Sequence, residues 1–296
     1  MISDKIQKIG RSVIQHGKIN NRIYLMKMDE KDAPEIISRL DDIARKNGYT
    51  KIFAKVPDLF RNLFIENSYK EEAVVPGFYN ENKDCLFFGK YFSDKRKKNT
   101  DDDNIKKIIE IAQNHILECG DKNEQNIFEF RKAGPTDIPR ICHIYKKVFK
   151  SYPFPIYDPK YLLETMKSNV CYYVACEGQT IVAISSAEID FDLKNAEMTD
   201  FATLPEYRKM GIATRLLGFM DESVAAQGIK TAYTIARALS PGMNITFTKN
   251  GYLFSGTLLN NTNIGGSIES MNVWYKKLCD KNYMPPHPEA PTSFFN

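Results

Sequence analysis

A basic turn at the start of an amphipathic segment is the sequence feature with the clearest chemistry. Residues 208–213 read Arg-Lys-Met-Gly-Ile-Ala, and the apolar residues after them recur at helical spacing, which predicts a helix starting at this turn. A helix N-terminus presents N–H groups without partners and a partial positive charge. Gly211 lets an anion approach the backbone closely, and Arg208 and Lys209 add positive charge. These residues predict a pyrophosphate site.

Two acidic residues lie just before this turn, on a segment that predicts a mostly buried strand. Glu197 and Asp200 belong to residues 196–203, and Pro205 ends the strand because proline cannot continue a hydrogen-bonded ladder. Side chains alternate along a strand, so the two carboxylates face opposite sides unless a bulge intervenes. A carboxylate at this place is a candidate general base, and a strand-edge surface carboxylate is the alternative interpretation.

The succession of acidic strand, basic turn and helix resembles the acetyl-CoA-binding motif of the GNAT acetyltransferases, in which R/Q-x-x-G-x-G/A cradles the CoA pyrophosphate. Ala213 stands at the last small position of the motif. Taken alone, the six residues also fit an ordinary helix start, and the surrounding elements favour the resemblance. It implies acetyl-CoA as co-substrate, with contacts from Phe201, Ala202, Thr203, Arg208, Lys209, Met210, Gly211, Ile212, Ala213, Thr214, Asn244 and Phe247.

The resemblance also implies acetyl transfer to an amine, which needs a free lone pair. An alkylammonium has a pKa of about 10.4, so a base must remove a proton near neutral pH. Several GNAT enzymes place their glutamate base where Glu197 stands, and Asp200 is the next candidate. Backbone N–H groups near residues 201–203 would hold the developing oxyanion.

One position departs from the family pattern. Phe247 stands where a tyrosine commonly protonates the departing thiolate. Tyr233, Tyr252 or solvent can take over that role, or the thiolate can leave unprotonated.

Bulk composition limits the other possibilities. The 296 residues suggest two domains, and 43% hydrophobic residues suffice for real cores. A net charge of +4, from 41 basic and 37 acidic residues, is too balanced to indicate nucleic acid. We expect no membrane span, no signal peptide and no metal site, because the four histidines show no ligand spacing. Six cysteines without a Cys-x-x-Cys pair favour a reduced, cytoplasmic protein.

The first part of the chain looks like a half-copy of the second. Residues 48–69 and 228–252 both predict strand, helix and strand with similar residues at the joints. Residues 28–32, Met-Asp-Glu-Lys-Asp, occupy the place of the basic turn, and an acidic helix entrance is a poor pyrophosphate site. We therefore predict an N-terminal unit that is structural or shapes the substrate site without binding CoA. Chance similarity of two short βαβ-like segments is the alternative.

The expected fold class is α/β with mixed sheets, a GNAT acyltransferase fold preceded by a smaller, degenerate half-GNAT-like α/β domain. The order β-α-α-β-β-β-α-β-α-β-β over the second part matches that of the family. We predict an N-terminal domain at 1–92, a charged, solvated linker and connecting helix at 93–126, the GNAT domain at 127–280 and a proline-rich tail at 281–296. The connecting helix should pack between the domains.

Within the superfamily, stretches at 152–158, 197–203, 233–238, 243–247, 260–264 and 269–275 resemble the β-lysine N-acetyltransferases, which make the osmolyte Nε-acetyl-β-lysine. The resemblance implies a small diamino acid as substrate, with no nucleic-acid or membrane partner, and leaves a homodimer open. Arg237 would bind the carboxylate in fork geometry. The remaining substrate residues would be Tyr152, Phe154, Tyr157, Glu188, Asn260, Asn261 and Glu269, with Asp200 also able to hold an ammonium.

Two alternatives stay open at this point. One is an acetyltransferase for another small amine, amino acid or protein lysine. The other is a non-catalytic CoA-binding module, which Phe247 favours mildly and Glu197 disfavours.

Overall fold

The computed structural model describes residues 4–115 and 127–278, which form two mixed β-sheets with helices packed against them. The first sheet has six strands in the order β1-β2-β3-β4-β6-β5, and within it only β3 and β4 run parallel. Its elements are β1 (Lys5–Ile9), β2 (Ser12–Gly17), β3 (Arg22–Lys27), α1 (Ala33–Asn47), β4 (Lys51–Pro57), α2 (Arg61–Glu66), β5 (Lys70–Tyr79) and β6 (Lys83–Tyr91).

The second sheet has seven strands in the order β12-β13-β11-β10-β9-β8-β7, and its parallel pair is β10 with β11. Its elements are β7 (Phe128–Lys132), α5 (Ile138–Val148), α6 (Pro159–Lys167), β8 (Val170–Glu177), β9 (Thr180–Asp190), β10 (Asn195–Thr203), α7 (Ile212–Ala225), β11 (Thr231–Arg237), α8 (Pro241–Lys249), β12 (Leu253–Ile264) and β13 (Ser267–Lys277). This order of elements is the predicted one. The α/β fold class with an N-terminal sheet domain is confirmed.

The two sheets repeat one topology. Six strands of the second sheet, β8-β9-β10-β11-β13-β12, follow the same spatial order as the six strands of the first. In both sheets a helix joins the two parallel strands, α1 in the first and α7 in the second, and a shorter helix precedes the last hairpin. The internal half-copy read from the sequence is therefore present as a structural repeat.

The two parallel-strand crossovers differ at the helix start. Asp32 stands at the N-cap position of α1, but its side chain makes no cap bond there. Its Oδ2 instead accepts the N–H groups of Arg11 and Ser12, at 2.8 and 2.7 Å. Asp29 caps the short 3-10 turn before it. Gly48 ends α1 in the left-handed conformation.

The charged linker is less solvated than its composition predicts. It holds α3 (Asp94–Lys97) and α4 (Asp102–Asn114). Arg96 is buried and donates to the carbonyls of Asn20 and Asn260, at 2.9 and 2.6 Å, so it ties both sheets together. Helix α4 packs on α8, and Ala112 lies in the core of the second sheet rather than between the two units.

Other predictions lie outside the described residues. They include the end of the connecting helix, the polar break at 121–125, and the tail. The domain boundaries at 92, 126 and 280 remain predictions. In the described ranges no helix combines the length and apolarity needed to cross a bilayer.

The two sheets share an apolar core. From the first sheet it takes Tyr24, Phe53, Phe78 and Phe87, and from the second Tyr233, Leu258, Met271 and Val273, with further small residues. At the edge, β5 and β12 approach so closely that a Cβ on Gly256 would lie 2.0 Å from the carbonyl oxygen of Glu72. The sheets are therefore packed together with no room for a larger side chain there.

A buried ion pair lies at this contact between the two sheets, which is called the seam below. The Lys51 ammonium is 2.9 Å from Glu72 Oε2, and both side chains are almost fully buried. Lys51 also donates to the carbonyl of Leu259, at 2.7 Å, and Glu72 accepts the N–H of that residue. Burial lowers the pKa of Lys51 to about 8, although Glu72 counteracts this effect. Each charge needs the other, because a single buried charge is costly.

Replacing Glu72 with Gln should lower the free energy of unfolding by about 3–5 kcal/mol, because the Lys51 charge would remain buried without its carboxylate. Urea unfolding followed by tryptophan fluorescence measures this loss through the single Trp274 in the second sheet. Glu35→Gln, which breaks an exposed pair with Arg39 on α1, is the control and should change stability little. An equally small effect for Glu72→Gln would contradict the assigned role.

Candidate active site

A bulge in β10 brings the two candidate acids into one cavity. The pairing of β10 with β9 is regular as far as Thr199, shifts, and resumes at Ala202. Asp200 has φ +58°, in the left-handed region that non-glycine residues seldom adopt. Regular alternation would have separated Glu197 from Asp200, but both line the same cavity. The bulge that the sequence argument allowed is present.

Both sheets build this cavity. The N-terminal sheet contributes aromatic, aliphatic and basic side chains, and the second sheet contributes the acids, the exposed edge of β11 and the aromatic loop before α6. Its principal lining residues are Arg22, Tyr24, Met26, Phe53, Lys55, Tyr152, Phe154, Glu188, Glu197, Thr199, Asp200, Phe201, Arg237, Met243, Phe247 and Thr262. A larger groove of about 810 Å³ between the sheets shares Met26, Lys55 and Glu188 with it.

Glu197 sits in a hydrogen-bonded chain that crosses between the sheets. Tyr233 Oη donates to Glu197 Oε2 at 2.9 Å, and Lys55 Nζ donates to Tyr233 Oη at 3.2 Å. Burial raises the pKa of Glu197, while Lys55 and the bond from Tyr233 pull it down and Asp200 adds to the rise. A carboxylate with an elevated pKa and a vacant second oxygen is suited to accept a proton.

Lys55 supplies the positive charge of this chain. Its Nζ lies 5.5 Å from the ring centre of Tyr24 and 5.6 Å from that of Tyr233. Burial disfavours the ammonium, but Tyr24 and Glu197 outweigh it and raise the pKa of Lys55 above its ordinary value. Lys55 is therefore a protonated cation at neutral pH.

Glu188 lies directly opposite Glu197 in the β9–β10 ladder. Two carboxylates facing each other on neighbouring strands repel. Burial raises the pKa of Glu188 to about 8, and Glu197 and Asp200 add to the rise while Lys55 opposes it. Among the described residues no donor hydrogen-bonds to Glu188. Its carboxyl is thus free to receive a ligand cation.

Asp200 is held by two hydroxyl groups. Tyr152 Oη donates to one carboxylate oxygen, and Ser186 Oγ donates to the other at 2.6 Å. Burial raises the pKa of Asp200, and these two bonds pull it down. Because both oxygens already accept a hydrogen bond, Asp200 is less available as a base than Glu197.

The basic turn has the conformation that an anion site needs. Gly211 is the N-cap of α7 with φ +65°, and no side chain caps the helix. Lys209 also has a positive φ, and residues 208–211 are exposed. The first N–H groups of this 14-residue helix are therefore open to an anion. At α1 of the repeat, the acids already described occupy the corresponding place.

Strands β10 and β11 separate beyond Glu197 and Tyr233. Their parallel pairing covers only Asn195–Glu197 with Thr231–Tyr233. Past Glu197, β10 keeps β9 as its neighbour, and its other edge faces an opening beside β11. The backbone of residues 201–203 therefore lies on a part of β10 that β11 does not pair with, and its contact with the cofactor stays a prediction.

The structure does not support a cofactor contact from the side chain of Asn244. Its Nδ2 donates to the carbonyls of Arg237 and Ser240, and its Oδ1 accepts from Asn272 and Trp274. All four hydrogen-bonding positions of the amide are used, and the side chain is fully buried. It holds α8 against β13 instead.

The structure also distinguishes between the candidate general acids. Phe247 lines the cavity and packs edge-on against Phe201 at 5.6 Å. Tyr252 is buried in the core, where its hydroxyl donates to Asp221 at 2.7 Å, so it cannot reach the cavity. Tyr233 is hydrogen-bonded to Glu197, so it is better placed than Tyr252 to act as the general acid.

The prediction for Arg237 and Glu269 needs correction. Arg237 Nε and Nη2 donate to the two oxygens of Glu269, at 2.9 and 2.6 Å, so the residues expected to bind the substrate carboxylate and ammonium bind each other. A bidentate pair of this kind neutralises both charges. Arg237 still lines the cavity, but a substrate carboxylate would have to displace Glu269.

Three further substrate residues lie elsewhere. Asn260 donates to the carbonyls of Arg96 and Lys98 in the linker, and Asn261 is buried beneath the seam between the sheets. Tyr157 donates to the carbonyl of Phe149 and packs in the core under α5. These side chains shape turns and core. Tyr152 and Phe154 do line the cavity.

The sequence argument missed the basic residues of the N-terminal sheet. Arg22 and Lys55 lie on β3 and β4 and reach the cavity from across the seam. A signal was available: each cation lies within or directly beside a run of apolar residues, Arg-Ile-Tyr-Leu-Met at 22–26 and Ile-Phe-Ala-Lys-Val at 52–56. A charge placed there must be exposed, paired or functional.

Comparisons with known proteins agree with this geometry. Residues 138–246 match the model of the acetyltransferase (GNAT) family. A β-lysine N(6)-acetyltransferase of Methanococcus maripaludis is 42% identical over 92% of this chain and 98% of its own length. The N-acetyltransferase YodP of Bacillus subtilis is 31% identical over 90% of this chain and 96% of its own. A β-lysine N(6)-acetyltransferase of Methanosarcina mazei is 28% identical over 88% and 92%.

The raised pKa of Glu188 predicts a pH-dependent stability. A carboxyl with pKa 4.5 when unfolded and about 8 when folded binds its proton more tightly in the native state, so its stabilisation is complete below pH 4.5 and is lost by about pH 8. The melting temperature of wild type minus that of Glu188→Gln should therefore fall between these pH values and then level off. Exposed Glu129→Gln is the control. A pH-independent difference would contradict the shift.

Proposed function

Because the chain belongs to the GNAT acetyltransferases, in the group of the β-lysine N(6)-acetyltransferases, we propose that it transfers an acetyl group from acetyl-CoA to the N6 amine of β-lysine. The observation that carries the proposal is the charge pattern of the cavity. Three carboxylates, Glu188, Glu197 and Asp200, face two cations from the other sheet, Arg22 and Lys55. A diamino acid, with two ammonium groups and a carboxylate, complements both signs.

Acetyl-CoA supplies the activated acyl group, and the residues of the turn fit its pyrophosphate. The uncapped N-terminus of α7 and the glycine at 211 give backbone N–H groups, while Arg208 and Lys209 add charge at the surface. The backbone of residues 201–203, at the bulge, would hold the oxygen of the acyl carbonyl as negative charge develops on it. Phe247 and Phe201 would line the path beside it.

Glu197 is the proposed base. The N6 ammonium must lose a proton before its nitrogen can attack the acyl carbon, and Glu197 offers the oxygen that Tyr233 does not occupy. The new amide bond forms as the carbon–sulfur bond breaks, the sulfur leaves with the bonding pair, and the second proton of the attacking nitrogen passes to solvent. An ordinary thiol has a pKa of about 8.5, so a thiolate can leave near neutral pH without the tyrosine that Phe247 replaces.

Glu188 is proposed to hold the second ammonium. At neutral pH its high pKa keeps it largely protonated, and an arriving cation would favour its ionised form. Asp200 lies on the same wall and, fixed by Tyr152 and Ser186, would add a second negative charge. The position of this ammonium relative to the reacting amine would distinguish β-lysine from α-lysine.

The direct test is an acceptor panel. The purified chain is given acetyl-CoA with β-lysine, α-lysine, cadaverine or a lysine-containing peptide, and CoA release is measured while NMR locates the acetyl group. We expect β-lysine to give the largest kcat/KM and acetylation at N6. Equal use of cadaverine would overturn the substrate and leave the acetyltransferase activity. No CoA release with any amine would favour a non-catalytic CoA-binding protein.

The cellular role follows from the product. Acetylation removes one positive charge and leaves a neutral zwitterion, a charge state compatible with an accumulated solute. We propose a cytoplasmic osmolyte-forming enzyme, and four described cysteines, Cys85, Cys142, Cys171 and Cys176, are unpaired thiols, as suits a reducing compartment. Deleting the gene should abolish Nε-acetyl-β-lysine in salt-stressed cells; an unchanged level would refute this role. Sedimentation would decide between monomer and homodimer.

Glu197→Gln should separate the base from a structural carboxylate. The amide keeps the shape and cannot take a proton, so kcat/KM should fall by about 10²–10⁴ near neutral pH and recover in part at high pH, where free amine is plentiful. A pH–rate profile with β-lysine measures this. The exposed Glu129→Gln is the matched control. A wild-type profile would move the base elsewhere, with Asp200 tested next.

Gly211→Asp should weaken CoA binding. The new carboxylate would repel the pyrophosphate, raising the Kd for CoA more than about tenfold, equivalent to about 1.4 kcal/mol. Calorimetry on the folded variant gives the number. Gly178→Asp is the control, because Gly178 is exposed and has a similar φ of +55° in a hairpin turn. The titration should also give one CoA per chain, since the α1 entrance is acidic. Unchanged affinity, or two CoA per chain, would contradict the assignment.

A further inference from the structure

Arg22 is a buried cation that the described structure leaves without a counter-charge. It begins β3, is only 5% exposed, and lines the cavity with Glu197 and Asp200. Two other buried or half-buried cations have carboxylate partners within 4 Å, Lys51 with Glu72 and Lys276 with Asp221, and Lys55 reaches Glu197 through the hydroxyl of Tyr233. Within residues 4–115 and 127–278 no carboxylate lies that close to Arg22.

Its hydrogen bonds use only one corner of the guanidinium. Nη1 donates to the carbonyl of Asn261 at 2.6 Å and to Thr262 Oγ1 at 3.1 Å. Nε is buried and has no acceptor, and the described residues accept no bond from Nη2. The Nε–Nη2 edge is the edge with which Arg237 holds both oxygens of Glu269. In Arg22 this edge is vacant.

The second buried arginine shows the contrast. Arg96 also lacks a carboxylate partner among the described residues, but its Nε, Nη1 and Nη2 each donate to a neutral oxygen, and it does not line the cavity. Its hydrogen-bonding capacity is used in holding the linker. Arg22 combines burial, access to the cavity and an unused donor edge.

The environment of Arg22 favours an anion over a neutral ligand. The guanidinium lies 5.3 and 5.6 Å from the ring centres of Tyr24 and Phe53, which stack on each other, so its neighbours on this side are aromatic rings rather than water. Burial lowers the pKa of Arg22 to about 10, so it remains charged at neutral pH. A buried charge without a counter-ion is unfavourable, and an incoming carboxylate would remove that cost while forming two parallel charge-assisted bonds.

We propose that Arg22, on the N-terminal sheet, is the residue that binds the carboxylate of the acceptor substrate, in place of Arg237. The inference rests on the proposed acetylation of a diamino acid and adds the element that selects an amino acid over a simple diamine. It also gives the N-terminal unit a function: this unit cannot seat a pyrophosphate, but it supplies the positive pole of the acceptor site. The ammonium groups are then held by the acids of the second sheet.

The test compares an acceptor with its own uncharged derivative. β-Lysine and β-lysinamide differ only in replacing the carboxylate by a carboxamide, so their ratio of kcat/KM isolates recognition of the anion. Wild type should prefer β-lysine by at least about tenfold, which is about the contribution of a single charge-assisted hydrogen bond. Arg22→Met should abolish this preference, chiefly through a higher KM for β-lysine, and should change kcat/KM for β-lysinamide by less than about threefold.

Three further variants keep the result decisive. Arg22→Lys retains the charge but not the planar fork, so it should recover part of the preference. Exposed Arg39→Met on α1 should keep the wild-type ratio. Arg237→Met tests the rival carboxylate site: loss of the preference there, with Arg22→Met unaffected, would overturn the proposal. Calorimetric titration of β-lysine and β-lysinamide in the presence of CoA gives the same comparison if a variant turns over too slowly.

Failure of this inference can be told from failure of the proposed function. If wild type acetylates β-lysine and Arg22→Met retains the preference for the carboxylate, the function stands and the role of Arg22 is refuted. If β-lysine is not an acceptor, the function is refuted, and α-lysine with lysinamide takes its place in the same comparison. A wild type indifferent to the carboxylate in both pairs would overturn the proposal.

Discussion

The site depends on one electrostatic constraint, the direct opposition of Glu188 and Glu197 across neighbouring strands. Two buried carboxyl groups facing each other on neighbouring strands repel, and Arg237, a cation of their own sheet that lines the cavity, is already paired with Glu269. The compensation comes from the other sheet, where Lys55 reaches Glu197 through Tyr233. The packing of the two sheets therefore does more than bury apolar surface, because without it the acidic pair would lack its counter-charge. The close approach at Gly256 and the Lys51–Glu72 pair hold the sheets at the separation that this requires.

The internal repeat explains how one chain supplies both poles of such a site. The two sheets share a strand order, but their parallel-strand crossovers have diverged. One helix start is uncapped and flanked by basic residues, which suits an anion; the other is surrounded by its own aspartates. The N-terminal copy thus lacks the features of a phosphate site, while its strands β3 and β4 carry cations toward the second sheet. In the proposed mechanism one half holds the acyl donor and the base, and the other half orients the acceptor.

The bulge in β10 is the second constraint. It turns Asp200 into the cavity beside Glu197 and interrupts the β9–β10 ladder close to the place where β10 and β11 separate. The strained backbone of Asp200 and the unpaired edge of β10 therefore lie next to each other. Tyr152 and Ser186 then fix the Asp200 carboxylate. The same irregularity therefore gathers the acids and exposes backbone N–H groups near the position where acyl chemistry is proposed.

The sequence alone determined the order of elements, the repeat, the basic turn and the acids, because these depend on local periodicity, turn residues and a motif of contiguous positions. Glu197, Gly211 and the acidic entrance of α1 could be read in this way. The tertiary structure decided which side chains meet. Arg237 and Glu269 pair with each other because β11 and β13 are neighbouring strands. The side-chain amide of Asn244 is hydrogen-bonded to residues of β13. Neither contact can be read from a local sequence pattern. Arg22 and Lys55 reach the site from strands that are distant in the chain. Their positions depend on how one sheet packs on the other. That packing is set by the shared apolar core and not by any short stretch of sequence.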